Sequence, residues 1–182
     1  MKNIDFQSLY IHTERLFIQQ FRPEHITETY LQALNEKQVV GLTEARHKMW
    51  CEKTAVEFIL QANAPDQSCL FGVFIKSSSK PIGNIRLFNM HKIHCRAELS
   101  FIFYDQEEWG KGYATEALNS IVNFAFEDMN LHRIHADYYE NNLASSRVFE
   151  KLGFEIEGIY KQHFFLQSTY VNSIRVGRIA PK

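Results

Sequence analysis

One apolar stripe constrains this chain more than any other feature. Ala114, Ala117, Leu118, Ile121, Val122, Ala125 and Met129 fall at i, i+3, i+4, i+7, i+8, i+11 and i+15. That spacing predicts a long helix with one greasy face. Such a face has to be buried against something flat. The candidates precede it directly. Cys69 to Lys76, Ile82 to Met90 and Cys95 to Tyr104 read as three successive strands, and Ser77-Ser78-Ser79-Lys80-Pro81 supplies a turn between the first two. A helix laid on an antiparallel meander is the nucleus of the expected fold.

The flanks extend this nucleus. Arg15 to Phe21 reads as a strand, and Pro23 opens a helix running to about Leu34. Residues 35 to 48 are polar and show no period. Glu52 to Ala62 is helical, with Ala55, Val56, Ile59 and Leu60 on one face. After the long helix, His132 to Tyr139 is a strand, and Ala144 to Leu152 a short helix closed by Gly153. Phe154 to Phe165 and Val171 to Ile179 are strands. The order β-α-α-β-β-β-α-β-α-β-β implies an α/β (α+β) fold with one mixed sheet. No repeat or linker divides residues 1–182, so one domain is expected.

With 182 residues, 45% of them hydrophobic, the chain can bury a core without covalent staples. Lysine plus arginine is 20 and aspartate plus glutamate 21. This balance lacks the basic footprint of a general nucleic-acid binder. Three cysteines at positions 51, 69 and 95 form neither a disulfide framework nor a metal spacing, which fits a reducing compartment. The first residues carry no signal-type apolar stretch, and no run reaches the roughly 20 residues needed to span a bilayer. A cytoplasmic location with no membrane partner is the expectation.

The start of the long helix carries the chemistry. In Trp109-Gly110-Lys111-Gly112-Tyr113-Ala114, two glycines let the backbone turn and a ligand approach. The first helical N–H groups have no partner within the helix, so this corner attracts an anion, a diphosphate above all. A P-loop pattern is absent. The dinucleotide pattern fails because Thr115 stands where its last glycine or alanine is required. The diphosphate of an acyl-coenzyme A remains, alongside a plain glycine-rich helix start.

A second segment changes the balance between these. Asn142, Ser145, Glu150, Lys151, Gly153 and Phe154 form an N-x-x-S…E-K-x-G-F pattern. With the glycine turn, it resembles the GNAT superfamily of acyl-CoA-dependent N-acetyltransferases. Trp109, Gly112 and Ala114 take the places of that superfamily's [Q/R]-x-x-G-x-[G/A] loop. Glu14-Arg15-Leu16 and the form W-G-K-G-Y-A-T-E-A are similar to the Rim-type (ribosomal-protein) subgroup. The resemblance implies a mostly antiparallel sheet of about seven strands with helices on both faces. It implies acetyl-CoA as co-substrate and an amine acceptor: a protein N-terminus, polyamine, aminoglycoside or amino sugar. A homodimer is left open. It also implies a diphosphate held at Trp109, Gly110, Lys111, Gly112, Tyr113 and Ala114, and a pantetheine arm paired along Ile102, Phe103 and Tyr104. The N–H near Ile102 would polarise the thioester oxygen. Residues 46 to 50 would help to shape the acceptor pocket.

Acetyl transfer needs a neutral amine, a stabilised carbonyl oxygen and a departing thiolate. Glu98, eleven residues before Trp109, is the candidate base, at an offset resembling the catalytic glutamate of histone acetyltransferases. Apolar strand neighbours would desolvate it and raise its pKa. Its alternative is a surface carboxylate paired with Arg96 or Arg86. Ser145 is the candidate partner of the coenzyme sulfur, or else a helix cap. Asn142 orients pantetheine or substrate, or else forms a turn. Many family members carry a proton-donating tyrosine where this chain has Phe149, and Rim-type enzymes often have acidic residues at the places of Phe164 and Asn172. These departures keep open a catalytically silent acyl-CoA-binding module. His91, His94 and Cys95 give H-x-x-H-C, but strand alternation sends the two imidazoles to opposite faces, so no metal is expected.

Overall fold

The computed structural model describes residues 1–2 and 4–181. Its frame is one eight-stranded sheet: β1 (Tyr10–His12), β2 (Leu16–Gln20), β3 (Cys69–Ile75), β4 (Pro81–His91), β5 (Arg96–Phe103), β6 (Arg133–Tyr139), β7 (Glu155–Leu166) and β8 (Thr169–Ile179). The spatial order is β1-β2-β3-β4-β5-β6-β8-β7. Every neighbouring pair is antiparallel except β5 and β6. The meander read from the sequence is present as β3-β4-β5. The extra strand is β1, whose three residues pair with His12 opposite Phe17 and Tyr10 opposite Gln19. Three residues are too few to display a period.

Helices cover both faces. The long helix is α4 (Tyr113–Glu127), and its Ala117, Leu118, Ile121, Val122 and Ala125 are fully buried. They pack with Leu16, Ile18, Phe71, Val73, Ile85, Leu87 and Leu99 on one face. Alternate strand residues point to the other face. There Leu70 and Phe74 join Ala55, Ile59 and Ala62 of α3 (Glu52–Ala62), and Tyr30 and Leu34 of α1 (Glu28–Leu34). The expected helix from Pro23 is interrupted. Pro23–His25 forms a 3-10 turn, and α1 restarts with Thr27 as its cap, the hydroxyl accepting the Tyr30 N–H at 3.1 Å. The polar stretch contains α2 (Lys37–Val40) and a 3-10 turn at Glu44–His47.

The short helix α5 (Leu143–Lys151) ends as the sequence predicts. Gly153 has φ +71°. Its N–H bonds the Glu150 carbonyl at 3.0 Å, and the Phe154 N–H bonds the Phe149 carbonyl at 3.0 Å. The rings of Phe149 and Phe154 meet at 5.1 Å. These are the two bonds and the apolar contact of a Schellman end.

Candidate active site in the split of the sheet

The parallel pair β5–β6 is zipped for only three residues: Arg96 opposite Arg133, Ala97 opposite Ile134, and Glu98 opposite His135. Both strands then continue, β5 to Phe103 and β6 to Tyr139, without pairing to each other. The sheet opens there like a V with Glu98 and His135 at its apex. A cavity of about 600 Å³ occupies the opening. It is lined from β5 by Glu98 to Ile102, from β6 by Asp137 to Tyr139, and from α5 by Asn142, Ser145 and Phe149.

The glycine turn lies at the end of β5. Gly110 and Gly112 have φ of +76° and +83°, in the left-handed region that glycine enters freely. A Cβ at Gly110 would meet nothing within 4 Å, so the backbone there is open to a ligand. Among the described residues, no acceptor takes the N–H groups of residues 110 to 115. The nearby cations are already committed. Arg15 Nε donates to Glu116 at 2.7 Å and Arg15 Nη1 to the Lys111 carbonyl at 2.9 Å, while Lys111 Nζ donates to Glu108 at 2.8 Å. Arg15 also lies 4.4 Å from the centre of the Tyr113 ring. The anion-attracting element is therefore the array of amides.

Three expectations for the coenzyme-side residues need correction. The Trp109 amide is taken by the Gln106 carbonyl at 3.2 Å, so it is not offered to a phosphate. Instead the indole N–H donates to the Phe103 carbonyl at 2.8 Å and ties the turn to the strand. Next, the Tyr104 N–H bonds the Ile82 carbonyl at 3.1 Å, and the register runs unbroken from Gly83 opposite Phe103 to Phe88 opposite Glu98. Antiparallel ladders alternate, so the Ile102 amide also faces β4. The main-chain groups of Phe101 and Phe103 face the split. The free donor near Ile102 thus belongs to one of these neighbours, and Ile102 contributes a side chain to the cavity wall. Tyr104 is 2% exposed, its ring packed on Tyr30 at 5.0 Å.

The α5 side resolves the alternatives for Asn142 and Ser145. Asn142 is the helix cap, its Oδ1 accepting the Ser145 N–H at 3.1 Å. Ser145 is therefore not the cap. Its hydroxyl lines the cavity with no partner among the described residues. The neighbouring Ser146 hydroxyl receives the Tyr138 O–H at 3.3 Å. Phe149 is buried among Phe101, Tyr138 and Phe154, with ring centroids 5.1 to 5.8 Å apart.

Glu98 departs from expectation in its titration. Its neighbours are His135, with Nε2 3.7 Å from the carboxylate, and Asn89, whose amide donates at 3.0 Å. His135 and then Asn89 stabilise the carboxylate more than burial penalises it, and the pKa is lowered, not raised. Glu98 stands at the apex as an acceptor whose charged form is favoured. The anticipated pairing with Arg86 or Arg96 does not form. His91 and His94 also differ. His94 lies in the turn after β4, and the two rings stack at 4.3 Å on one side. No group of three potential metal ligands occurs among the described residues.

The polar stretch without a period forms the roof. Thr43, Glu44, Ala45, Lys48 and Trp50 line the cavity. Arg46 reaches over the Tyr139 ring, donates to its hydroxyl and to the Phe165 carbonyl, and Tyr139 donates to Glu44. Burial and the Glu44 carboxylate push the Tyr139 phenol up to about 12. The Phe164 ring stacks on Tyr139 at 3.9 Å. Asp137 and Arg175 form a bidentate pair beneath, with Nε to Oδ1 at 2.9 Å. No local sequence signal announces these contacts, because each joins segments many residues apart.

Residues 15–155 match the family model described as "Acetyltransferase (GNAT) domain". The chain belongs to the GNAT acetyltransferase family. Among GNAT relatives, it is 38% identical over 98 residues to a probable N-acetyltransferase, YjcK, of Bacillus subtilis, an alignment spanning 54% of each chain. The chain thus spans about half the length of this relative. Two solved structures share the GNAT fold. The ribosomal-protein-S5-alanine acetyltransferase of Vibrio fischeri superposes with a TM-score of 0.82 at 21% identity, covering 96% of this chain and 98% of that one. The spermidine N-acetyltransferase of Vibrio cholerae, solved with CoA and spermine, gives 0.79 at 21% identity, covering 91% and 96%. A mostly antiparallel sheet with helices on both faces is the GNAT architecture, here with eight strands.

Proposed function

We propose that this chain transfers an acetyl group from acetyl-CoA to a primary amine by direct attack in a ternary complex. The observation that carries the reading is that one strand leads from the split to the free amides. The unpaired edge of β5 at Phe101 and the residue Ser145 border the split, and the turn that follows β5 holds amides at residues 110 to 115 that have no acceptor among the described residues. The diphosphate binds the amide array. A free N–H of β5 holds the carbonyl oxygen as charge builds, a preorganised term that is usually large in catalysis. The amine nitrogen attacks the carbonyl carbon and the carbon–sulfur bond breaks. Ser145 donates to the departing sulfur, a modest task since a thiol of pKa near 8.5 leaves readily. The proton of the amine passes towards Glu98 directly or through water.

The chain acts as one domain, and its three unpaired cysteines suit a reducing cytoplasm. The donor is tested by calorimetry with acetyl-CoA, and turnover by thiol release across an amine and peptide panel. Binding accompanied by thiol release supports the proposal. Binding without turnover on any amine identifies a silent acyl-CoA module, the reading that Phe149 favours. An absence of binding removes both.

A further inference from the structure

Arginine side chains gather on one side of the split. Arg86 stands on β4 opposite Ser100 and lines the split cavity. It also lines a second, polar cavity of about 720 Å³ on the same side. Arg86, Phe88 and Glu98 border both, so the two spaces adjoin. The second cavity adds Arg96, Arg175, His91 and His135, with Glu98 as its one carboxylate.

The charges do not cancel within the protein. Asp137 is engaged by Arg175, and Glu44 by Tyr139 and Arg46. Lys48, Arg86 and Arg96 have no carboxylate within ion-pair distance among the described residues. Arg86 is the most confined of the three. It is half-buried, donates through Nε to the Ser68 hydroxyl at 2.9 Å, and lies 4.9 Å and 5.8 Å from the ring centres of Phe88 and Phe58. Burial draws its pKa down and outweighs the opposing pull of the Glu98 carboxylate, which lies beyond ion-pair distance. His135, 5% exposed, adds a ring nitrogen, Nδ1, that has no partner among the described residues. An unpaired, partly desolvated guanidinium regains most from a planar or tetrahedral anion that takes its forked donors. A polycation would meet like charge there.

We propose that the acceptor is a primary amine bearing a carboxylate or phosphate, and that Arg86 holds this anionic group where the two cavities adjoin. The amine end then reaches the split past Glu98, the one carboxylate facing both cavities. The inference rests on the acetyl-transfer reading above, deepens it to a substrate class, and excludes spermidine-like polycations as preferred acceptors.

The test uses a matched pair of amines, 5-aminovalerate and its own carboxamide, with spermidine as the cationic arm. In the wild-type protein, kcat/KM for the acid is expected to exceed that for the amide by at least about tenfold, the scale of one charged hydrogen bond. In Arg86→Gln the two converge, and Arg86→Lys restores part of the gap. Spermidine trails the acid. Calorimetry on the CoA-saturated protein gives a readout apart from turnover. Glutarate and inorganic phosphate distinguish the carboxylate from the phosphate. The preferred anion binds the wild type and is at least about tenfold weaker in Arg86→Gln. CoA titration of the variant shows that it remains folded. Equal rates for acid and amide, a ratio unchanged in Arg86→Gln, a preference for spermidine, or no binding of either anion would each overturn the inference. Thiol release with neutral or cationic amines would in those cases leave acetyl transfer standing. If acetyl-CoA itself fails to bind, the acetyl-transfer reading is the one that falls.

Discussion

Glu98 shows how a candidate residue can be assigned to its strand from sequence and still be misjudged in its chemistry. Its position in the strand before the glycine turn was readable from spacing. Its pKa direction was not, because His135 comes from a strand 37 residues later and meets it through parallel pairing. With the carboxylate held below its ordinary 4.5, Glu98 is fully charged throughout the neutral range. Between pH 6 and 9, kcat/KM should therefore rise only with deprotonation of the amine. Glu98→Gln should lower it severalfold without moving that inflection, as measured by thiol release across the pH range. An unchanged rate would free Glu98 from any part in proton transfer. Gly112 makes a second prediction at this scale. At φ +83° an alanine is strained by about 1 kcal/mol, and the amides on either side are displaced. Gly112→Ala should lower Tm and weaken acetyl-CoA binding in calorimetry. Loss of Tm without loss of binding would detach this turn from the diphosphate.

At the scale of elements, helix and strand identity followed from periodicity. The stripe from Ala114 to Ala125 formed as expected because α4 buries one continuous face, with Met129 just past its end, and the β3-β4-β5 meander formed because helices cover it on both faces. The sequence was silent where burial has no period. In the stretch of residues 35 to 48, Val39 and Val40 are adjacent and both buried in a helix of four residues. The roof over the cavity is held by Arg46, Tyr139 and Phe165, whose meeting depends on tertiary folding alone. Capping shows the same division. The pattern around Asn142 was legible as a motif, yet which side chain capped α5 was decided only by geometry. Asn142→Ala removes that cap and should cost about 1 kcal/mol of stability, visible as a lower Tm in thermal melts. If the residue serves only as cap, KM for the amine will move little.

For the whole molecule, the carboxylates set the response to acid. Glu98 is lowered by His135 and Asn89, and Glu157 chiefly by Arg133. Burial raises Glu116, but Thr13, the Arg15 amide and the Arg15 side chain together outweigh it. Each thus binds its proton less readily folded than unfolded, where the ordinary value is 4.5. Their stabilisation is complete above about pH 4.5 and is lost as pH falls through the lower folded values. Tm should be level down to about pH 5 and drop below 4.5. Glu116→Gln should flatten part of that drop, and melts from pH 7 to 3 would check both.

The cavity between β5 and β6 is roofed by Tyr30 and Leu34 of α1 and Phe58 of α3, whereas α4 packs on the other face of the sheet. On the acetyl-transfer reading, a coenzyme on the amides before α4 and an amine in that cavity would rest on different elements, and neither would have to leave for the other to bind. Double-reciprocal plots should intersect when both substrates are varied, and a dead-end coenzyme analogue should leave the apparent affinity for the amine nearly untouched.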